Sequence, residues 1–424
     1  MGEFEAPTRA TIEAVWRIEA ARLIGGLVRL VRDVDRAEDF AQGALVTALE
    51  RWPEAGIPDN PGAWLMTTAK NRATDEARRR AMMDGRHREL ERTTTPWTTF
   101  DVESLDEIIG DDVLRLVFIA CHPILSRDAR VALTLRLVAG LSTAEIARAF
   151  LTTEVTVAQR IVRSKRTLAE AKVPFEVPTG EDLHARIPPI LEVVYLIFNE
   201  GYAATAGDDW LRPELCDEAL RLGRILVGLV PGEAEAHGLL ALMELQASRA
   251  RARVGPRGEP VLLAEQDRTL WDRLLITRGL SALHRAEAIR RPLGPYTLQA
   301  AIAACHAVAT RLEDTDWRRV LALYDALVEL TGSPVVELNR AVAVAMADGP
   351  AEGLSLVDAL SDHPVLQGYH LLPAVRGDLL SRLGRSAEAE VAFDEAAGLA
   401  TNARERKLLR ARAEACARRS RPSE

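Results

Sequence analysis

Residues 141–168, LSTAEIARAFLTTEVTVAQRIVRSKRTL, read as two helices joined by a tight turn. Ser142 with Glu145 three places on is a capping box, which predicts a short helix through Phe150. Thr153 is the expected N-cap of a second helix. In that helix Val157, Ile161, Ser164 and Leu168 form one inward stripe at helical spacing. The opposite face carries Val155, Thr156, Gln159, Arg160, Arg163 and Arg166. Guanidinium and amide groups are the side chains that fork onto base edges and phosphates, so this face suits DNA. An ordinary amphipathic helix with a solvated basic face would carry the same residues; what lies upstream decides between the two.

The net charge of −8 argues against a general polyanion binder, but the average hides a pattern. Residues 70–92 hold eight Lys/Arg against five acids, and 155–172 hold five against one. Between them, 93–112 holds six acids and no base. Two basic islands on an acidic connector fit two DNA-contacting modules and a linker. A chain of 424 residues implies two or three domains, and 48% hydrophobic residues suffice for large cores. No apolar run reaches membrane-spanning length and the N-terminus lacks a signal-peptide core, so a cytoplasmic protein without a membrane partner is expected. Cys121, Cys216, Cys305 and Cys416 have no ligand spacing and read as free, buried thiols; Cys121-His122 lacks further ligands for a metal.

Upstream, Ile12 to Val31 repeats apolar residues at helical spacing. Asp35 and Glu38 read as another capping box before the stripe Phe40, Ala41, Ala44, Leu45, Ala48, Leu49 and Trp52. The other face of that helix offers Asp35, Glu38, Asp39 and Gln42. Asn60-Pro61 caps a third helix with Trp64, Leu65, Thr68 and Ala69 inward, followed by Lys70, Asn71, Arg72, Asp75, Arg78, Arg79 and Arg80. Trp52 and Trp64 fit core packing better than base stacking, since both lie in the apolar stripes.

In this order the pieces resemble an extracytoplasmic-function sigma factor of the sigma-70 family, the promoter-recognition subunits of bacterial RNA polymerase. The acidic helix DVDRAEDFAQGALVTALERW, the helix WLMTTAKNRATDEARRR and the helix-turn-helix carry the resemblance, which covers roughly residues 10–172. Two departures stand out: Gly43 where the family favours an acid, at about 1 kcal/mol of helix propensity, and Leu151 with Val155 where small turn residues are usual. The resemblance implies that Asp35, Glu38, Asp39 and Gln42 grip the β′ clamp of core polymerase, with the β flap as a further contact. It implies −10 recognition by Lys70, Asn71, Arg72, Arg78 and Arg79, and −35 recognition by Thr156, Gln159, Arg160, Arg163 and Arg166. Promoter DNA and core RNA polymerase are then the partners, with no cofactor and no catalytic residues.

The chain continues well beyond this resemblance. Val173-Pro174 and Val177-Pro178 mark a boundary, after which the patterning is helical, with turns at Pro231-Gly232, Gly255 to Pro260, Pro292 to Pro295, Gly332 to Pro334 and Gly349-Pro350. Gly384, Ala389, Phe393 and Ala396 sit at tetratricopeptide offsets. A period near 34 residues is echoed by Gly349, Leu354 and Asp358, and by Thr315, Val320, Tyr324 and Leu327. One long helix is expected from Glu265 to Arg291, and Gly201 of Phe198-Asn199-Glu200-Gly201-Tyr202 is expected to be a helix C-cap rather than part of a polar site.

The reading is therefore all-α: a sigma region 2 bundle at 10–92, a linker at 93–110, a region 4 helix-turn-helix domain at 111–172 and a tetratricopeptide-like regulatory domain at 183–418. No phosphate loop, zinc-protease or dinucleotide motif occurs, so a binding protein is expected rather than an enzyme. Related proteins with such extensions imply modulation of activity by the extension, with room for intramolecular contact between it and the sigma domains. The alternative is a one-component, ligand-sensing helix-turn-helix regulator, against which the acidic helix and the W-L…N…D…RR helix both speak, since an operator binder needs neither.

Overall fold

The computed structural model describes residues 5–83, 112–150, 152–178, 181–203, 211–256, 258–289 and 292–420. Regular structure among them is helical; the one strand-like pairing is an isolated bridge between Val254 and Pro260. The expected linker at 93–110 and the departure at Leu151 lie outside the described residues. Two compact units are formed, Met1–Val193 and Val194–Glu424.

The first unit opens with α1 (Glu5–Val31), α2 (Val34–Ala55) and α3 (Pro61–Met83), which pack on one another. Of its expected apolar stripes, Leu23, Ile24, Leu27, Phe40, Ala41, Ala44, Ala48, Leu65 and Ala69 are buried and Leu45 and Thr68 are half-buried, whereas Leu49 is exposed. Trp52 is buried and meets Trp64 edge to face at 5.3 Å, so this pair belongs to the core. Asn60 Oδ1 accepts from Ala63 N at 2.9 Å and caps α3 as its sequence implies. The start of α2 differs from expectation. Asp33, in extended conformation, is the N-cap and accepts from Arg36 N at 3.0 Å. Asp35 lies in the first turn, where its charge suits the helix dipole without capping.

The second half of this unit holds α4 (described over 112–120), α5 (Arg127–Leu137), α6 (Thr143–Ala149) and α7 (Glu154–Glu170). The capping box at α6 is reciprocal: Ser142 N donates to Glu145 Oε2 at 2.8 Å and Glu145 N to Ser142 Oγ at 3.2 Å. Thr153 caps α7 through Thr156 N at 3.1 Å. The buried residues of α7 are Val157, Ile161, Ser164 and Leu168, the predicted stripe. Its end is a Schellman turn, with Lys172 at φ +50°, Lys172 N donating to Ala169 O and Val173 N to Leu168 O. Pro174 follows and prevents any continuation. Next, α8 (Glu181–Tyr202) crosses from the first unit into the second and carries Pro188 and Pro189 inside it.

The second unit continues with α9 (Pro213–Leu229), α10 (Ala234–Ala247), α11 (Arg273–Ala288), α12 (Pro295–Val308), α13 (Trp317–Thr331), α14 (Pro334–Ala347), α15 (Pro350–Ala359), α16 (Leu371–Arg382), α17 (Ser386–Leu399) and α18 (Ala403–Ser420). α12 packs chiefly on α10, and from α13 onward each helix packs chiefly on its chain neighbour, as a stacked array requires. Gly332 in the left-handed region ends α13, and prolines open α12, α14 and α15. Of the repeat positions, Thr315, Val320, Leu327, Leu354, Ala389, Phe393 and Ala396 are buried and Tyr324 is half-buried, whereas Asp358 is exposed.

Two expectations fail here. The long helix from Glu265 does not form; short 3-10 turns precede α11, whose true start is fixed by Asp272 accepting from Leu274 N and Leu275 N. Gly201 is not a C-cap, because α8 runs through it. A Cβ there would come within 2.7 Å of Cys216 N and 2.9 Å of Arg212 O, so this glycine serves close packing.

Phe393 is the test of the array's core. It is fully buried, lies against Gly377 and carries the Arg412 guanidinium over its ring at 4.4 Å. Phe393→Ala should cost about 3–5 kcal/mol in chemical denaturation. A loss under about 1 kcal/mol, the range of surface substitutions, would contradict the assignment.

Candidate nucleic-acid and polymerase interface

Within the first unit, α7 displays the side chains expected to meet DNA. Thr156, Gln159, Arg163 and Arg166 are exposed and Arg160 is half-buried. Arg160 Nη2 lies 3.3 Å from Asp128 Oδ2, and Arg166 Nε lies 2.7 Å from Glu170 Oε1. Both partners are exposed carboxylates, weakly held and readily exchanged for phosphate. Val155 and Val162 stand 64% and 62% exposed on the same helix, available to a thymine methyl.

On α3, Asn71, Arg72, Arg78 and Arg79 are exposed, whereas Lys70 is half-buried. Burial, with Arg29 nearby, holds the Lys70 ammonium below its ordinary pKa. Arg72 reaches across to α2, donating to Thr47 Oγ1 at 2.8 Å. It passes over Gly43, where a Cβ would fall 2.5 Å from Arg72 Nη1. The glycine that departs from the family pattern thus gives Arg72 its path over α2.

The four acidic-face residues of α2 are not equivalent. Asp35 and Asp39 are exposed and Gln42 is half-buried, but Glu38 is only 3% exposed. That corrects the expectation of an exposed Glu38. Its Oε1 accepts from Arg136 Nε of α5 at 2.5 Å and from Gln42 Nε2 at 2.6 Å. Its Oε2 lies 2.5 Å from Lys165 Nζ of α7, and that ammonium also donates to Asp35 Oδ1 at 2.7 Å. Burial opposes the Lys165 charge, but Glu38 and Asp35 outweigh it and raise its pKa. Further contacts join the same two halves: Trp16 Nε1 donates to Gly140 O at 3.1 Å, Arg17 pairs with Glu145 at 2.8 Å, and buried Asp112 lies 3.6 Å from Arg29. The acidic face and the basic helix are thereby packed together. Sequence reasoning missed Lys165 and Arg136; the one hint was that Lys165 is among only four lysines in an arginine-rich chain.

The family model described as sigma-70 region 2 matches residues 17–82, and that described as sigma-70 region 4 matches 115–168. A family of unknown function (DUF6596) matches 186–287. A Rhizobium meliloti protein, named only as uncharacterized, is 45% identical over 91% of each chain. The probable ECF RNA polymerase sigma factor SigI of Mycobacterium tuberculosis is 27% identical over 40% of this chain and 58% of its own. The RNA polymerase sigma-H factor of Pseudomonas aeruginosa is 29% identical over 36% of this chain and 82% of its own.

Asp39 offers a pH test of this packed face. Burial raises its pKa, the neighbouring Asp35, Glu38 and Asp33 add to the rise, and Lys165 opposes it. A raised acid pKa means the folded state holds the proton more tightly than the unfolded chain, so ionisation at neutral pH costs stability. Asp39→Asn should therefore melt slightly above wild type at pH 7, within the about 0.5 kcal/mol usual for surface sites. The gap should close as the pH falls to the ordinary carboxylate range. A variant that melts below wild type at pH 7 would contradict the crowding of carboxylates read here.

Proposed function

Because the chain belongs to the extracytoplasmic-function sigma factors of the sigma-70 family, we propose that it recruits core RNA polymerase to promoters and reads their −10 and −35 elements. The observation that carries this reading is α7, which buries Val157, Ile161, Ser164 and Leu168 while presenting Thr156, Gln159, Arg160, Arg163 and Arg166 along its other side. Such a helix enters a major groove with its polar side toward base edges and phosphates. On α3, Asn71, Arg72, Arg78 and Arg79, with Lys70 at their base, supply the basic groove and amide that an unpaired −10 strand needs. The acids Asp35, Glu38 and Asp39 with Gln42 suit a basic surface of the polymerase clamp. Within this reading residues 10–92 are the region 2 bundle, 93–110 the linker and 111–172 the region 4 domain, and the extension at 183–418 modulates their activity.

One consequence is specific to this chain. Polymerase and Lys165 compete for the same carboxylates, so engaging the clamp requires α7 to leave α2. In the packed arrangement Glu38 is withdrawn from any external partner. Its two cations offset the cost of burying it, and a competing basic surface must replace them.

Lys165→Gln should therefore strengthen binding to core polymerase while leaving −35 recognition intact, since Lys165 is outside the reading set. Unchanged or weaker polymerase binding by the folded variant would refute the competition. Arg160→Ala and Arg163→Ala should each weaken promoter binding by about 1–3 kcal/mol if the contact is to a base edge. For a phosphate contact the loss should be alike on all sequences, with a shallower salt dependence. Undiminished −35 binding in both variants, in a reconstituted transcription and footprinting assay, would sink the assignment of α7.

A further inference from the structure

In the second unit, two guanidinium groups share one indole. Arg249 lies over the Trp271 ring at 5.8 Å and Arg268 lies over it at 4.8 Å. Trp271 itself is 3% exposed. Arg249 donates to Tyr202 Oη at 2.7 Å and to Gln246 Oε1, and Arg268 Nη1 donates to His306 O at 2.6 Å and Ala309 O at 2.7 Å. These acceptors are all neutral. Among the described residues neither guanidinium has a carboxylate within ion-pair distance, in contrast to Arg212, paired with Glu200, and Arg224, paired with Glu244, in the same unit.

The arrangement is electrostatically unsatisfied. Burial, then the Arg249 charge, lowers the Arg268 pKa, and Arg249 also depresses His306, which burial takes to about 4. The acids that favour the Arg268 charge are Asp314 and Glu313, and Asp314 is already committed to Thr310 Oγ1 at 2.7 Å and Arg311 N at 3.2 Å. Three polar atoms in the cluster are buried without a hydrogen-bond partner: Arg268 Nη2, Trp271 Nε1 and His306 Nδ1. Two of these are obligate donors. Desolvated like charges beside orphaned donors are costly unless an anion completes them.

We propose that this cluster is a binding site for a small oxyanion, a phosphate or carboxylate group, held by Arg249 and Arg268 against the Trp271 edge. Arginine forks match both oxyanions in a bidentate manner, and the indole N–H gives a further donor. The Asn-Glu-Gly-Tyr segment is part of its scaffold: Gly201 lets α8 close on Cys216, Glu200 fixes Arg212 at 2.5 Å, and Tyr202 receives Arg249. Its residues belong to neither the promoter-reading nor the polymerase-binding set, so the site stands or falls separately from the proposed function.

The test is isothermal titration of the full chain, in low-chloride buffer, with inorganic phosphate and separately with succinate. The proposal expects one site per chain in at least one arm, and the arm that binds names the oxyanion. Arg249→Gln should weaken that site by about tenfold or more, which is about 1.4 kcal/mol. The double variant Arg160→Ala with Arg163→Ala should retain it, which separates the site from phosphate contacts on α7. Arg249→Gln keeps a side-chain donor for Tyr202 Oη and Gln246 Oε1, so the variant should stay folded, and Arg268→Gln, titrated in the same way, should weaken the site to a like degree. No binding in either arm, a site that survives both single variants, or a site lost only with the α7 arginines would each overturn the proposal.

Discussion

The buried carboxylate of Glu38 is the constraint on which the first unit depends. An ionised side chain at 3% exposure is tolerated only with counter-charge, and here Arg136 and Lys165 arrive from α5 and α7 to provide it. Those cations cannot reach Glu38 unless the halves on either side of residues 84–111 pack face to face. Trp16 on Gly140, Arg17 on Glu145 and Arg29 near Asp112 then fall into place as lesser contacts at the same junction. Hydrophobic stripes build each half, and this ion cluster joins them. Such clusters are poor sources of net stability but sensitive to any competing charge, which makes them suitable as a reversible closure.

Much of this architecture was legible in the sequence because it follows from local chemistry. The Ser142–Glu145 box, the Thr153 cap, the α7 stripe, the Asn60-Pro61 start and the prolines and glycines bounding α12 to α15 each act over a few residues. The failures share the opposite cause. Asp33 rather than Asp35 caps α2 because the cap depends on backbone conformation at one residue, and both are equally good capping types. The helix expected from Glu265 ignored Asp272, a capping residue lying inside an otherwise helical pattern. Gly201 reads locally as a terminator because its use, close approach of Arg212 and Cys216, is tertiary.

The candidate site divides in the same way. Exposure of Thr156, Gln159, Arg163 and Arg166 follows from helical periodicity and holds. The burial of Glu38, the role of Lys165 and the passage of Arg72 over Gly43 are long-range and left no mark in local pattern. The same holds for Arg249, which precedes a 3-10 turn, and Arg268, which opens another; they become a pair only through Trp271. Places where a fold leaves charge uncompensated are where local consistency gives way to function.

The proposed function requires α2 and α7 to separate when polymerase takes the acidic face. The most direct measurement is energy transfer between fluorophores at Val46 on α2 and Val162 on α7, both exposed, introduced as non-natural amino acids in the full chain. Transfer should be efficient in the free protein and drop sharply when purified core polymerase is added, with Lys165→Gln showing lower transfer before addition. Equal transfer in the free and polymerase-bound protein would contradict it.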